Sequence, residues 1–222
     1  MNQFETLSLE HSSTVDRVAD ELRRALFDGE VGAGTPLREI ALAEAMGVSR
    51  STIREALGAL VGEGLATRAP NRGVHVTALD AVSVRDVFAA RQVLEVAGVR
   101  RWAGAGDEAR ATCRQAMLSF NATAEQDAGP AELTAAHLAV HLCFVGLTGS
   151  SRLVALAETL ASEIRLALAT VDRIRRDSID HAHAHADLFG LLEAGDLEGA
   201  ASELQHHLAS AERSLLAALD LA

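Results

Sequence analysis

The histidines in the second half of the chain carry the clearest potential for chemistry, because imidazole binds Zn²⁺, Ni²⁺ and related metals. Seven of the nine histidines follow position 136. His137 and His141 are four residues apart in LTAAHLAVHLCF, so their rings project from one face of a helix. Single histidines from two later helical stretches complete the set: His181, His183 or His185 in one, and His206 or His207 in the other. Such a pair and two single histidines can meet inside a helical bundle and form a metal site.

The same histidines also have a simpler explanation, which the pattern alone leaves open. A single histidine on an apolar helix is often a satisfied core residue or a surface neighbour. His181 and His183 are expected to face solvent, and either could take the place of His185 in a metal site.

A metal held by histidines could also activate water for hydrolysis. No acidic residue is placed as a convincing general base, because Glu132 precedes His137 by five residues and lies off its face. Asp187 lies near the proposed ligands in the sequence, but so would any acid on the surface of that helix. We therefore predict that the protein is not an enzyme and keep a hydrolase only as an alternative.

A second group of residues has the chemistry of DNA recognition. Arg50 and Arg54 share one helix face, and arginine can make paired hydrogen bonds to guanine. Ser51 and Thr52 can bind phosphate or base edges, and Arg72 could reach phosphate or the minor groove. Ion pairing of the two helical arginines with Glu55, or simple exposure to solvent, is the alternative interpretation.

The elements around these residues predict a winged helix-turn-helix, in which the second helix of the motif lies in the DNA major groove. A helix over 14–29, with Thr14 as N-cap and Gly29 as stop, precedes a helix over 38–46 that ends at Gly47. Ser49 caps the next helix. Asn71, Arg72 and Gly73 have the composition of a hairpin tip, and the alternation of Val74 and Val76 favours a strand.

The remainder of the chain predicts an antiparallel bundle of about six helices, so the fold class is mainly α. The apolar periodicity runs over residues 83–103, 107–126, 131–148, 150–171, 174–194 and 196–220. We expect a DNA-binding domain at residues 1–78 and an all-α domain for effector binding and dimerisation at residues 79–222.

Composition limits the location and the partners of the protein. The net charge of −11 is unusual for a DNA-binding protein, but residues 48–76 hold four arginines against two glutamates, which suits modest non-specific binding. No stretch has the length and apolar character of a membrane span, and the polar N-terminus is not a signal peptide, so we expect a cytoplasmic protein. Cys113 and Cys143 lie in apolar helical patterns and are expected to be buried free thiols.

The segment from about 14 to 78 resembles the N-terminal domain of GntR-family bacterial transcription regulators. The resemblance lies in GTPL, LAEAMGVSRSTIREAL, EGLATR and NRGVHV, all with matching spacing. It implies that the family's DNA-contacting positions fall on these residues: Arg50, Ser51, Thr52, Arg54 and Gly73. The family often has an arginine where this chain has Ile40, so one operator contact is missing or moved to Arg38.

The region from about 83 to 215 is similar to the FCD subgroup of that family. The similarity lies in HLAVHLCFVGLTGSSRL, in a histidine before Ala194-Gly195-Asp196 and in His207-Leu208. It implies that His141, His185 and His207 are metal ligands and that His137 replaces the usual aspartate. Four neutral histidines would favour Zn²⁺ or Ni²⁺ over harder ions, unless His137 lies outside a site of three histidines.

The spacing of Arg91 and Glu95 in RQVLE also matches the FCD subgroup. The resemblance implies that Arg91 lies beside the metal and helps to bind the effector, with Arg165 as a second candidate for this role. An ordinary ion pair between residues four apart is the alternative. We therefore expect a regulator that binds an inverted-repeat operator as a homodimer and responds to a small carboxylate at a metal site. A metal-free pocket for a larger acyl-type effector remains an alternative.

Overall fold

Helices dominate the part of the chain that the structure describes. The structure is a computed structural model that describes residues 13–70, 72–126, 128–171 and 179–221, without the side chains of residues 170 and 179–184. In chain order the elements are α1 (Thr14–Phe27), α2 (Glu39–Met46), α3 (Arg50–Gly62), β1 (Ala66–Ala69), β2 (Gly73–Val76), α4 (Ala81–Val99), α5 (Asp107–Glu125), α6 (Pro130–Gly146), α7 (Ser151–Val171), α8 (Ile179–Ala194) and α9 (Leu197–Ala218). The prediction of a mainly helical protein with a small wing is confirmed.

Local capping interactions determine where the helices of the N-terminal region begin and end. Ser13, rather than Thr14, caps α1, because its hydroxyl accepts from the Asp16 amide and the Asp16 carboxylate accepts in return. Gly47 ends α2 with a φ of 66°, a left-handed conformation that suits glycine. Ser49 caps α3 by accepting from the amide of Thr52, as the sequence predicts.

The wing is an antiparallel hairpin of β1 and β2, in which Ala66 faces Val76 and Ala69 faces Gly73. Gly73, with a φ of 82°, opens the second strand, whereas Asn71 lies outside the described residues. Pro36, ahead of α2, bridges to His75 on β2. This bridge therefore connects the wing to the segment just ahead of α2.

The second half forms a helical bundle close to the predicted boundaries. Helix α6 packs against α4, α5 and α7, while α9 packs against α4 and α8. The start predicted at residue 174 lies outside the described residues, which resume at α8. Cys113 and Cys143 are both buried and free, which confirms their prediction. No helix in the described ranges is long and apolar enough to cross a membrane.

The buried apolar side chains form two clusters, one from residues 18–76 and one from residues 84–216. This is consistent with two domains, and the boundary at 78 and 79 stays a prediction. Leu166 of α7 is the exception, since it is buried in the first cluster. Helix α7 therefore contributes to the cores of both halves.

Candidate metal centre and nucleic-acid interface

Four histidines from three helices meet inside the bundle. His137 and His141 come from α6, His185 from α8 and His207 from α9, and one ligand atom from each lies within 4.8 Å of the others. The Nε2 atom of His141 is 3.1 Å from that of His137 and 3.2 Å from that of His185. The geometry therefore brings together the four histidines that the FCD resemblance implies.

Burial makes this cluster unlike a surface group of histidines. His141 and His185 are 3% and 1% exposed, and His137 and His207 are half-buried. The Phe120 ring stacks on His137 and meets His185 edge-on. His206 is exposed on the other side of α9, and the side chains of His181 and His183 lie outside the description.

Glu95 on α4 orients the central histidine. Its Oε2 atom is 2.7 Å from Nδ1 of His141, and its Oε1 atom accepts from Nε of Arg91 at 2.7 Å. A carboxylate on one ring nitrogen fixes the tautomer and leaves the other nitrogen to face a ligand, as it does in many metal sites. Arg91 thus pairs with a carboxylate at the cluster, and the same carboxylate orients His141.

The electrostatics of this pair are those of a buried site. Burial holds the pKa of Glu95 above its usual range, and Arg91 opposes the shift through charge and hydrogen bonding. Arg91 is itself 6% exposed, and its Nη2 atom is buried with no hydrogen-bond partner among the residues that the structure describes. A buried guanidinium nitrogen of this kind is an available donor for an anion.

A small cavity adjoins the cluster between α4, α6 and α7. Its lining includes Arg91, Glu95, His141, Ala157 and Ala161. Its volume is about 10 Å³, which is enough for about one water molecule. A larger molecule can enter only if the side chains or the helices that line the cavity move.

Arg165 lies against α1 and is not among the described residues that line this cavity, so its expected share in the role of Arg91 stays a prediction. Its guanidinium lies over the ring of Phe27 in α1, with 3.8 Å from the guanidinium carbon to the ring centroid. Its Nε atom is buried and has no hydrogen-bond partner within the described part of the chain. Burial lowers the pKa of Arg165, while Asp28 acts in the other direction. The residue faces the N-terminal domain because it lies near the end of α7 that packs on α1.

The residues expected to recognise DNA cluster at the start of α3. Arg54 makes two hydrogen bonds to Glu39 of α2, at 3.0 Å and 2.7 Å, and Arg50 lies 3.7 Å from the same carboxylate. The acidic partner is therefore Glu39, instead of the Glu55 considered from the sequence. The Arg54 guanidinium holds the pKa of Glu39 below its usual range.

The other candidates surround this pair. The hydroxyls of Ser51 and Thr52 lie 2.7 Å and 2.8 Å from that of Ser49, at the N-terminus of α3. Arg38 occupies the N-cap position of α2, and Arg72 and Gly73 lie at the tip of the wing. The structure thus gathers α2, the start of α3 and the wing on one side of the domain.

Sequence reasoning missed the roles of two acids. Glu39 is 15 residues from Arg54, and Glu95 is 46 residues from His141. The spacing of Arg91 and Glu95 signalled an ion pair, but no local pattern signalled the partners across helices.

Two known protein families match the two regions of the chain that hold these sites. Residues 14–76 match the profile described as bacterial regulatory proteins of the gntR family, and residues 86–210 match that of the FCD domain. The chain belongs to the GntR family. Members of this family are transcription regulators and not enzymes, so the hydrolase alternative is set aside.

Curated relatives in the family are similar to this chain over different lengths. The Nta operon transcriptional regulator of Aminobacter aminovorans is 31% identical over 60% of this chain and 63% of its own length. The regulator YdhC of Bacillus subtilis is 32% identical over 45% of this chain and 44% of its own length. The chain thus spans less than two thirds of these two relatives. The repressor RspR of Escherichia coli K12 is 28% identical over 87% of this chain and 85% of its length.

Solved GntR structures share the architecture. A GntR-type transcriptional regulator from Rhodococcus sp. RHA1 has a TM-score of 0.78 at 28% identity and covers 91% of this chain and 97% of its own. The McbR/YncC protein of E. coli, at 20% identity, has a TM-score of 0.73 over 92% and 98% of the two chains. The second likeness concerns the fold alone.

Proposed function

We propose that this GntR-family protein is a cytoplasmic transcription regulator that binds a double-stranded DNA operator as a homodimer. A small carboxylate effector, bound at a metal site in the FCD domain, controls the operator affinity. The observation that carries this proposal is the buried cluster of four histidines, with Arg91 and a cavity beside it.

The donor set suits a divalent metal of intermediate softness. His137, His141, His185 and His207 would hold Zn²⁺ or Ni²⁺, because imidazole nitrogen favours these ions over Mn²⁺. If His137 stays outside the coordination shell, three histidines leave an open position for the effector. Such a metal would supply a positive charge and a coordination site for a carboxylate.

Arg91 supplies the second attraction for an acid. Its Nη2 atom is buried and has no hydrogen-bond partner among the described residues, and Arg91 lines the cavity together with His141. The chemistry therefore favours a small carboxylate over a large acyl group, since the cavity holds only about one water molecule before any helix moves.

A symmetry argument and one observation support action as a homodimer. An inverted-repeat operator is matched by a two-fold symmetric protein. Val82 and Val93, which are 73% and 71% exposed, lie eleven residues apart on one face of α4, with exposed Ala89 between them. This exposed apolar stripe suits contact with a second copy.

Metal content tests the site. We expect untagged wild-type protein to contain about one Zn or Ni per chain by elemental mass spectrometry, and His141→Ala to lose it. His206→Ala is the matched control, since His206 is an exposed histidine of α9. Wild-type protein without metal, even after incubation with Zn²⁺ or Ni²⁺ and desalting, would contradict the metal site.

Footprinting on the protein's own upstream region tests the regulatory function. We expect protection of two half-sites related by two-fold symmetry, and loss of protection with Arg54→Ala. Protection of a single half-site would contradict the homodimer, and no protection at all would contradict operator binding there.

A further inference from the structure

A polar groove separates the start of α2 from the wing. It has a volume of about 360 Å³ and contains Arg38, Glu39, Arg68, Arg72 and His75 in its lining. Arg68 lies on β1 and belongs to none of the DNA-contacting positions discussed above. The groove therefore joins three arginines that lie up to 34 residues apart in the sequence.

These three arginines differ from most of the other arginines described in the domain. Arg38, Arg68 and Arg72 make no ion pair with any residue that the structure describes. In contrast, four arginines elsewhere in residues 13–78 are paired with acids: Arg23, Arg24, Arg50 and Arg54. Arg17 on α1 is also without an ion pair among the described residues, so three of the four unpaired arginines in residues 13–78 line the groove.

Glu39 does little to neutralise this charge. Its carboxylate already accepts two hydrogen bonds from Arg54 and lies 3.7 Å from Arg50, both on the side of the recognition helix α3. It is also the one acid among the described residues of the lining. The groove consequently keeps an excess of positive charge and open guanidinium donors, which is the chemistry that binds phosphate.

We propose that this groove binds the phosphodiester backbone of duplex DNA, with Arg68 as a further contact and Arg38 on phosphate instead of a base. The inference rests on the proposed DNA-binding function. Base recognition then belongs to the start of α3, whereas the groove contributes affinity that is independent of sequence. Arg38 does not replace the base contact that the family often makes from the position of Ile40.

Salt dependence of binding to an arbitrary duplex tests the assignment. Full-length wild type, Arg68→Ala and Arg38→Ala would be titrated with a fluorescent 30-base-pair duplex between 50 and 300 mM KCl. Each lost phosphate contact should reduce the magnitude of the slope of log K against log salt concentration by about 0.9. It should also reduce the affinity at 0.1 M salt by about eightfold. Arg68→Lys should restore most of the slope, because it keeps the charge.

Arg17→Ala is the matched control, since Arg17 is exposed in the same domain but lies on α1. The proposal is overturned if wild type binds and Arg68→Ala keeps the slope of Arg17→Ala. It is also overturned if Arg68→Ala or Arg38→Ala changes the preference between duplexes of different sequence, since that would indicate base contact. Absence of wild-type binding at 50 mM KCl would overturn the DNA-binding function itself.

Discussion

Glu95 connects the two parts of the candidate effector site through a single carboxylate. One oxygen orients His141 and the other accepts from Arg91, and both partners are buried. Removal of this charge would affect the histidine and leave the arginine without its partner. The side chain therefore has a positioning role in the proposed metal site and a structural role in α4.

We predict that Glu95→Gln weakens Zn²⁺ binding about 10- to 100-fold, because the orienting hydrogen bond to His141 is lost or reversed. Competition with a chromogenic chelator measures the affinity. The same variant should lower the free energy of unfolding by about 3–5 kcal/mol, because Arg91 keeps a buried charge without an acid. Glu132→Gln, an exposed acid on α6, is the control. Unchanged Zn²⁺ affinity in Glu95→Gln would contradict the orienting role.

Glu163 on α7 gives the interface between the domains a dependence on pH. Burial raises the pKa of Glu163, and the nearby Asp86 adds to the shift. Because its pKa is raised, Glu163 binds its proton more tightly in the folded state than in the unfolded state. The resulting contribution to the free energy of unfolding is fully present below about pH 4 and is lost as the pH rises through the pKa of the folded state.

Glu163→Gln should therefore raise the melting temperature at pH 7 by about 1–3 °C and have little effect at pH 4. Thermal unfolding followed by circular dichroism at pH 4, 5, 6 and 7 measures the divergence. Glu158→Gln, an exposed acid on the same helix, should show no such trend. A wild type and a Glu163→Gln variant that melt in parallel across this range would refute the prediction.

Among the helices, α4 and α6 approach each other closely at a point on which the site depends. A Cβ placed on Gly98 would lie 1.8 Å from the carbonyl oxygen of Phe144. Glycine is required there because the backbones approach closely, and α4 then holds Arg91 and Glu95 against His141 of α6. The packing of two helices thus sets the distance between the carboxylate and the histidine.

We predict that Gly98→Ala lowers the free energy of unfolding by about 1–3 kcal/mol, because the added methyl group forces the two helices apart. Chemical denaturation measures this. Gly190→Ala on α8 is the matched control, since no atom of the described residues lies within 4 Å of its added Cβ. It should raise stability by roughly 0.5–1 kcal/mol through helix propensity. Equal effects of the two substitutions would contradict the close approach.

Across the whole chain, α7 is the element shared by the cavity and the DNA-binding domain. Ala157 and Ala161 line the cavity. On roughly the opposite face, Leu166 is buried in the N-terminal core, and a Cβ on Gly64 would lie 3.0 Å from atoms of Thr159 and Glu163. Gly64 follows the recognition helix α3, so a shift of α7 would reach that helix.

Occupation of the cavity should therefore change operator affinity through α7. Ala161→Leu, which adds more volume than the cavity offers, is expected to change the operator dissociation constant at least fivefold, within the usual range of coupling energies. Fluorescence anisotropy with the footprinted operator measures it. Ala155→Leu, on the exposed face of α7, is the control.

The same substitution should have a smaller effect in an Arg165→Ala background, because Arg165 is the α7 residue that lies over Phe27 of α1. Arg152→Ala, an exposed arginine of α7, supplies the matched background. An operator affinity that Ala161→Leu leaves unchanged would contradict coupling through α7.

Much of this architecture could be predicted because its signals are local. The cap at Ser49, the left-handed Gly47 and the periodicity of the bundle helices each depend on residues within a few positions of one another. The four histidines were named through a family resemblance, since spacing alone left several histidines of α8 and α9 as alternatives. The position of Arg165 against α1 could not be predicted, because its helical position gives no indication that α7 turns that face to α1.

The sequence by itself determined the order of helices, the wing and the residue types available for metal and DNA. Only the tertiary structure decided which side chains meet, because a contact between distant elements depends on helix rotation and packing that no local pattern records. Glu39 with Arg54, Glu95 with His141 and the groove of Arg38, Arg68 and Arg72 all arise in this way. The two faces of α7 follow from the same cause, since one helix packs at once against the cavity and the DNA-binding domain.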